Sequence, residues 1–259
     1  MKKYIHDMLV VGNQQINHNY FLLELKAPEK LSEILPGQFV QMEVKGNKNV
    51  FLRRPISVHD VNYKENTIKF LIQKLGEGTN TLSHAQCGET VNIVYPLGNS
   101  FSIPTEDNIL LVGGGCGVAP LLYLARFLKA KGFKVSTLIG GRSKEDILEV
   151  HEYKKHSTVY ITTQDGSMGE KGLVTNHSIL KPVKCEFSMI YTCGPEPMMR
   201  VLSKFAFNHG KRCEVSLENM MACGIGACLC CVVETRHGNK CTCTEGPIFN
   251  PKELAGWVY

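Results

Sequence analysis

The sequence predicts a multidomain protein of mixed α+β and α/β class, made of an antiparallel β-barrel, a doubly wound parallel sheet and a small C-terminal domain. Three observations predict it. Up to residue 104, apolar residues recur at every second position between turn dipeptides, the pattern of half-buried antiparallel strands. From 105 to 211, short apolar runs alternate with stretches of helical spacing, as strand–helix units do. From 212 to 259, six cysteines crowd into 21 residues. The expected domains are therefore 1–104, 105–211 and 212–259.

Composition narrows the function classes. The chain has 259 residues, 43% hydrophobic and 20% charged, enough to bury a sizeable core. Its net charge of +5 comes without a dense basic run or interleaved aromatics, which argues against nucleic acid as a partner. No stretch approaches the ~18 apolar residues of a membrane span, and the N-terminal MKKYIHDMLVVGNQQ lacks the apolar core of a signal peptide. Eleven cysteines, an odd number and clustered, point to reduced thiols binding metal in the cytoplasm.

In the first domain, Phe21, Leu23 and Leu25 mark one strand and Phe39, Met42 and Val44 another. Ile68, Phe70 and Ile72 mark a third, Val91, Ile93 and Tyr95 a fourth. Between them lies RRPIS, Arg53 to Ser57. A guanidinium can fork onto a phosphate, and a hydroxyl at the strand end can bond a flat polar ring. A surface arginine before a proline bend is the plain alternative. Gly78 and Thr79 open a short helix, with Thr79 as N-cap or phosphate contact. A Pro-Leu-Gly exit closes the domain.

In the second domain, Ile109 to Val112 form a buried strand that runs into GGGCGVAP, and a helix bearing Leu121, Leu122, Leu124, Ala125 and Leu128 follows. KVSTLIGG, TVYITTQDGS and FSMIYTCGP supply three more strands, and a helix spans about Glu196 to Asn208. Ligands of such sheets sit at the carboxyl ends of the strands. The glycine turn departs from the common dinucleotide fingerprint, since Val118 occupies its last glycine position. Arg142 either meets a 2′-phosphate or solvates a loop. Cys193 has no histidine nearby in sequence to activate it, so a small buried hydrophobe is its plain reading.

In the third domain, Cys223, Cys228 and Cys231 stand in C-x4-C-x2-C spacing with Cys241 and Cys243 beyond, the plant-type pattern for a 2Fe-2S cluster. Gly224 and Gly226 permit a sharp loop whose amides point at sulfur. Zinc usually pairs two short C-x2-C steps, which the x4 step fits poorly, and disulfides are the remaining alternative. Cys230 and Cys231 are adjacent and cannot both face one cluster. Cys223, Cys228, Cys231 and Cys243 are the expected ligands, with Cys230 and Cys241 as bystanders.

RPIS, the Gly-Thr helix start, the P-L-G exit, GGGCGVAP and YTCGPEPMM together resemble the ferredoxin-NADP reductase superfamily. The resemblance implies that Arg54 contacts the FAD pyrophosphate and that Ser57 lies near the reactive flavin nitrogen. Pro55, Ile56, Leu71, Ile72 and Gln73 would line the ring and adenosine portions, and Gly78 and Thr79 the phosphates. Gly114, Gly115, Gly117 and Pro120 would shape the approach of the nicotinamide dinucleotide, with Cys193 and Gly194 beside the hydride path. Ser57 and Cys193 thus become the expected catalytic residues.

Over its whole length, with QDGSMGEKGLVT, ACGIGACLCCV and CTEGPIF added, the chain resembles the electron-transfer subunits of type B, NAD-dependent dihydroorotate dehydrogenase. In that family a cysteine precedes the Glu/Asp-Gly-Pro segment, which selects Cys243 over Cys241. The resemblance implies a separate FMN-containing catalytic subunit in a two-plus-two assembly, with electrons passing through the 2Fe-2S cluster and FAD to NAD+. The alternatives are the FAD/2Fe-2S subunit of an NADPH-ferredoxin oxidoreductase or sulfide-type reductase, and a zinc-stabilised module that senses nucleotides. The C-terminal GWVY is expected beneath the cluster loop or against the partner.

Overall fold

Strand β1 (Tyr4–Gln15) is the longest element of the first sheet, and sequence patterning misses it. Met8 and Val10 point into the core while Ile5, Leu9 and Val11 face outward, so apolar residues on both sides hide the alternation. The computed structural model describes residues 2–181 and 186–258. β2 (Tyr20–Lys26), β3 (Phe39–Met42), β4 (Arg54–Ser57), β5 (Asp60–Asn62), β6 (Thr67–Gln73) and β7 (Thr90–Leu97) complete a curled antiparallel sheet in the order β4-β3-β7-β1-β2-β6-β5. Inside the curl lie Phe21, Leu23, Leu25, Ile68, Phe70, Ile72, Val91, Ile93 and Tyr95, the alternating residues of the sequence pattern. Each such fully buried side chain contributes roughly 1.5–3 kcal/mol. Phe39 and Met42 separate: Met42 enters the barrel core, whereas Phe39 faces outward. A short helix α1 (Glu77–Leu82) caps the barrel.

The parallel sheet is built from β8 (Ile109–Gly114), β9 (Val135–Gly141), β10 (Thr158–Thr163), β11 (Glu170–Lys171), β12 (Met189–Cys193) and β13 (Arg212–Ser216). Helices α2 (Ala119–Ala130) and α3 (Val150–Lys154) cover one face, and α4 (Glu196–Asn208) the other. Alternation along β8 shows the double winding: Ile109 and Leu111 pack on the α2 side, Leu110 and Val112 on the α4 side. The barrel docks on α2, with Tyr123 Oη donating to Ile34 O at 2.9 Å and Arg126 paired to Asp60 at 2.6 Å.

The cysteine segment carries a two-stranded hairpin, β14 (Val232–Thr235) and β15 (Gly238–Cys241), and then β16 (Ile248–Phe249). Two expectations change here. β13 pairs with β12, and β16 adds to β13, so Arg212–Ser216 belong to the parallel sheet and the sequence boundary at 211 falls too early. The reason is that β13 follows α4 as an ordinary strand–helix–strand unit, which the nearby cysteines masked. The tail does not lie beneath the cysteine loop: Trp257 is buried against the α4 side of the sheet, with the Arg200 guanidinium 4.7 Å from its ring centroid. Tyr259 lies outside the described residues.

Candidate functional site

β4 and β3 run antiparallel with Ser57 opposite Phe39 and Pro55 opposite Gln41. Opposed residues share a face, so one side of the barrel carries Ser57, Pro55, Phe39 and Gln41. The cysteine loop covers that side. Phe39 and Leu97 pack against Cys231 and Cys243, and Gln41 lies against Gly224. All four residues of RPIS are half-exposed although they sit in a sheet.

The two arginines divide. Arg53 Nη1 donates to Gln41 O and Asn92 O and Nη2 to Asn92 Oδ1, which fixes the strand ends. Arg54 instead passes over Gly78, where an added Cβ would stand 2.5 Å from its Nε. The sequence-predicted pair Arg54 and Gly78 is therefore brought together. Thr79 is not the N-cap: Gly76 is, and Thr79 Oγ1 accepts from Leu75 N at 3.0 Å and Gly76 N at 3.3 Å, so its hydroxyl is spent inside the turn. Ile72 is spent on the barrel core and Leu71 on the α2 core. Of the segment 71–73, only Gln73 lines the cleft. β5 pairs with β6 no further than Lys69; beyond it the outer edge at Leu71 O accepts from Cys116 Sγ at 3.8 Å, while Ile72 pairs with Phe21 of β2. Removing the guanidinium or crowding it should release flavin. Arg54→Ala should lower FAD affinity about 10- to 100-fold, the value of one charge-assisted contact. Gly78→Ala should lower it on the order of 10-fold by pushing Arg54 aside; flavin content after gel filtration measures both, and unchanged content in both variants would remove Arg54 from the site.

Between barrel and parallel sheet lies a cleft of about 960 Å³, walled by Tyr20 and Gln73 on one side and the strand ends of the sheet on the other. Gly114, Gly115, Gly117 and Gly194 line it, and so does Arg142. Pro120 does not. It is buried in the first turn of α2, where its missing N–H costs nothing and its fixed φ helps start the helix. Cys193 is fully buried at the end of β12, its thiol pushed well above the usual range by burial and then by Glu218.

Glu218, which sequence reasoning missed, lines this cleft together with Glu145, Asp146 and Glu196. Its Oε1 lies 3.7 Å from Cys193 Sγ while part of the side chain stays open to solvent; desolvation where it meets the protein raises its carboxyl above the ordinary range, partly offset by the Cys193 thiol. Nothing in the local sequence marks it, since β12 and β13 bring it to Cys193 only in three dimensions. Its raised value has a sign consequence: the protonated form favours the fold, so its contribution is fully present at low pH and is lost as pH rises through the folded-state value. Because the side chain is also exposed, Glu218→Gln should stabilise the protein only slightly at pH 8 relative to wild type, with the gap closing below the ordinary glutamate range. Thermal unfolding at both pH values checks this, and a gap that widens at low pH would contradict it.

The cysteine loop is organised by its own amides. Cys223 Sγ accepts from Ile225 N and Cys228 N, each at 3.4 Å, Cys243 Sγ from Gly226 N at 3.1 Å and Cys231 Sγ from Cys243 N at 3.4 Å. Gly224 and Gly226 adopt φ of +69° and +83°, which brings these amides round to the sulfurs. Burial opposes ionisation of Cys223, but the amides of Ile225, Cys228 and Ala227 and the Cys228 thiol outweigh it and bring its pKa down to about 6. Cys243, by contrast, is pushed up to about 12 by burial and by Cys231. Among these thiols Cys223 neighbours Cys228, and Cys231 neighbours both Cys243 and Cys241. Among the described residues no three such side chains converge on a single ion. Two thiolates per metal, amide donors to sulfur, and buried polar atoms of Gln41 and Thr242 without partners make a donor set that fits a two-iron group. Cys230 is exposed, whereas Cys241 is half-buried with its amide turned onto the Glu245 carboxylate at 2.8 Å.

Asn99 ties this loop to the barrel. Its N donates to Gly246 O at 2.6 Å, its side chain donates to Glu245 O and Ile248 O, and it accepts from Ile248 N. The preceding Gly98 allows the approach, since a Cβ there would stand 2.6 Å from Pro247.

Comparison with known proteins places each region. The family model described as the iron-sulfur cluster binding domain of dihydroorotate dehydrogenase B matches residues 218–255. Those for an oxidoreductase NAD-binding domain and an oxidoreductase FAD-binding domain match 111–204 and 7–101. The chain is 35% identical over 254 residues to the dihydroorotate dehydrogenase B (NAD(+)) electron transfer subunit of Fusobacterium nucleatum, covering 95% of this chain and 96% of that one. It is 40% identical over 223 residues to the subunit of the same name from Caldanaerobacter subterraneus, covering 85% and 86%. Among solved structures, a chain of an NADH-dependent reduced ferredoxin-NADP oxidoreductase, determined in work on flavin-based electron bifurcation, superposes with a TM-score of 0.86. It is 31% identical and is covered to 90%, with 96% of this chain included.

Proposed function

The chain belongs to the family of electron-transfer subunits of NAD-dependent dihydroorotate dehydrogenase B, and from that premise we propose how its residues divide the work. Cys223, Cys228, Cys231 and Cys243 hold a 2Fe-2S cluster, Arg54, Ser57 and Gly78 hold FAD, and the cleft at Gly114, Gly117 and Gly194 takes NAD+. When bound, the cluster carries single electrons, the flavin exchanges single electrons for pairs, and the nicotinamide takes a hydride. The observation that carries this reading is the shared barrel face: Ser57 and Pro55 lie one strand, about 4.8 Å, from the residues that the cysteine loop covers. Arg54 anchors phosphate, Ser57 offers a hydroxyl at the strand end, and Gly194 and Glu218 line the nicotinamide side of the cleft, with Cys193 packed behind them.

Electrons enter from a separate FMN-containing dihydroorotate-oxidising subunit, in a two-plus-two assembly. Met220, Ile225 and Leu229 expose 85%, 50% and 64% of their surface around the exposed Cys228, an apolar rim suited to that partner. No helix of the described residues is long and apolar enough to cross a membrane, and the ten described cysteines are free thiols, which suits a reducing cytoplasm.

The experiment is anaerobic purification with the co-eluting subunit, followed by iron, acid-labile sulfide and flavin analysis and by dihydroorotate-driven reduction of NAD+. Absence of iron and flavin from the intact complex would sink the reading. The second reading, a subunit of a ferredoxin-NADP oxidoreductase complex, rests on the similarity to that solved chain. A strong preference for NADPH over NADH, with ferredoxin as the partner, would favour it.

A further inference from the structure

Gln41 is completely buried, and neither its Nε2 nor its Oε1 has a hydrogen-bond partner among the described residues. A carboxamide removed from water without partners is costly, and native proteins rarely keep one unless something satisfies it. Its surroundings show what that something is. Gln41 sits in β3 with its backbone O held by Arg53 Nη1 at 3.3 Å, so the strand cannot rotate the amide away. The side chain leaves the barrel on the same face as Phe39, which packs on Cys231 and Cys243. It ends directly against the cysteine loop, where a Cβ on Gly224 would stand 2.6 Å from Gln41 Cγ and 2.8 Å from Nε2. Gly224 follows Cys223, whose sulfur already accepts two main-chain amides. Gly224 thus serves a second purpose beside its positive φ: any side chain there would separate Gln41 from the loop.

We propose that Gln41 donates its side-chain N–H to a sulfur of the iron-sulfur group held by this loop, either the Cys223 thiolate or a bridging sulfide, and thereby raises the reduction potential of that group. The inference rests on the cluster reading given above. The main-chain amides supply donors from within the loop. Gln41 supplies one from the flavin-binding strand system, cross-strand from Pro55 and two residues from Phe39, which opposes Ser57. A hydrogen bond to sulfur stabilises the more negative, reduced state, so its removal lowers the potential. Because the donor belongs to β3, which pairs with the β4 strand that carries Arg54 and Ser57, a shift of that strand pair is felt at the cluster.

The test uses the full chain in its native complex, with Gln41→Met, which keeps length and volume but cannot donate. Potentiometric titration of the cluster, read by electron paramagnetic resonance, should give wild-type iron and sulfide content and a midpoint shifted to more negative potential, with the flavin midpoint unmoved. The metal-free variant should unfold at an equal or higher temperature than metal-free wild type, because an unsatisfied amide has been replaced by an apolar group. A purely structural glutamine would do the opposite. A loaded cluster with an unchanged midpoint, or a shift confined to the flavin, overturns the proposal. If the variant does not load, wild-type complex with 15N in glutamine side chains decides. Pulsed paramagnetic resonance should then detect nitrogen coupling to the reduced cluster, and its absence overturns the proposal as well. Failure of the cluster reading itself is distinguishable, because it appears as wild-type protein without iron or sulfide.

Discussion

Gly117→Ala should destabilise the protein by about 3 kcal/mol and slow NADH-driven flavin reduction at least 10-fold, roughly 1.4 kcal/mol of lost transition-state stabilisation. A Cβ at this position would stand 2.3 Å from Cys193 O, 2.4 Å from Cys193 C and 2.5 Å from Gly194 Cα. These are backbone atoms of the strand end, and no side chain can swing aside to relieve them. Relief requires the turn between β8 and α2 to lift off β12, and the barrel is docked on α2 through Tyr123 and Arg126. The displaced floor is the one that Gly194 and Glu218 present to the cleft, so stability and hydride transfer fail together. Gly115→Ala is the control. Its φ of +56° carries a strain of about 1–2 kcal/mol, but its added Cβ meets only Tyr20 Oη, at 3.8 Å. Thermal unfolding and stopped-flow reduction compare the two variants, and a Gly117→Ala protein with wild-type values in both would show that the close packing at β12 is dispensable.

How much of this was legible in the chain differs between elements for physical reasons. β2, β6 and β7 announced themselves because the barrel-facing side of each is an unbroken apolar row, so Phe21, Leu23, Leu25 and their counterparts recur at every second position, even though Tyr20 and Leu71 on the other side are buried as well. β1 did not, since its outward side is also apolar at Ile5, Leu9 and Val11. The sheet order β4-β3-β7-β1-β2-β6-β5 is a product of long-range pairing that no local pattern records. Among site residues, the cysteine spacing was readable because a chelating loop imposes its geometry on neighbours in sequence. Glu218 and Gln41 were not, because each acquires its role from a strand distant in sequence: Glu218 from Cys193 at the end of β12, Gln41 from Gly224. Pro120 and Thr79 show the converse. Both stand inside motifs that resemble ligand sites, yet the structure spends one on starting a helix and the other on closing a turn.

Cys243→Ser should abolish the paramagnetic signal of the reduced cluster and with it dihydroorotate-dependent NAD+ reduction, leaving less than about 1% of either, whereas Cys241→Ser should retain both, as an oxygen ligand in place of a thiolate is a poor match for iron–sulfur chemistry. The environment separates the two cysteines. Cys243 is 1% exposed, lies with Cys231 against Phe39 and Leu97, and receives the Gly226 amide at 3.1 Å. Cys241 carries no such donor, and the Glu245 carboxylate bonded to its backbone places negative charge beside it. That charge raises its thiol further, after burial and Cys231, and would repel an anionic cluster. The flavin end should survive the loss: Cys243→Ser protein is expected to keep FAD and its NADH reaction with a small-molecule electron acceptor, because Arg54, Gly78 and the cleft are untouched. The two activities measured on one preparation therefore separate a broken relay from an unfolded chain. If Cys241→Ser removes the signal and Cys243→Ser preserves it, the fourth ligand is Cys241, whose thiol already neighbours Cys231.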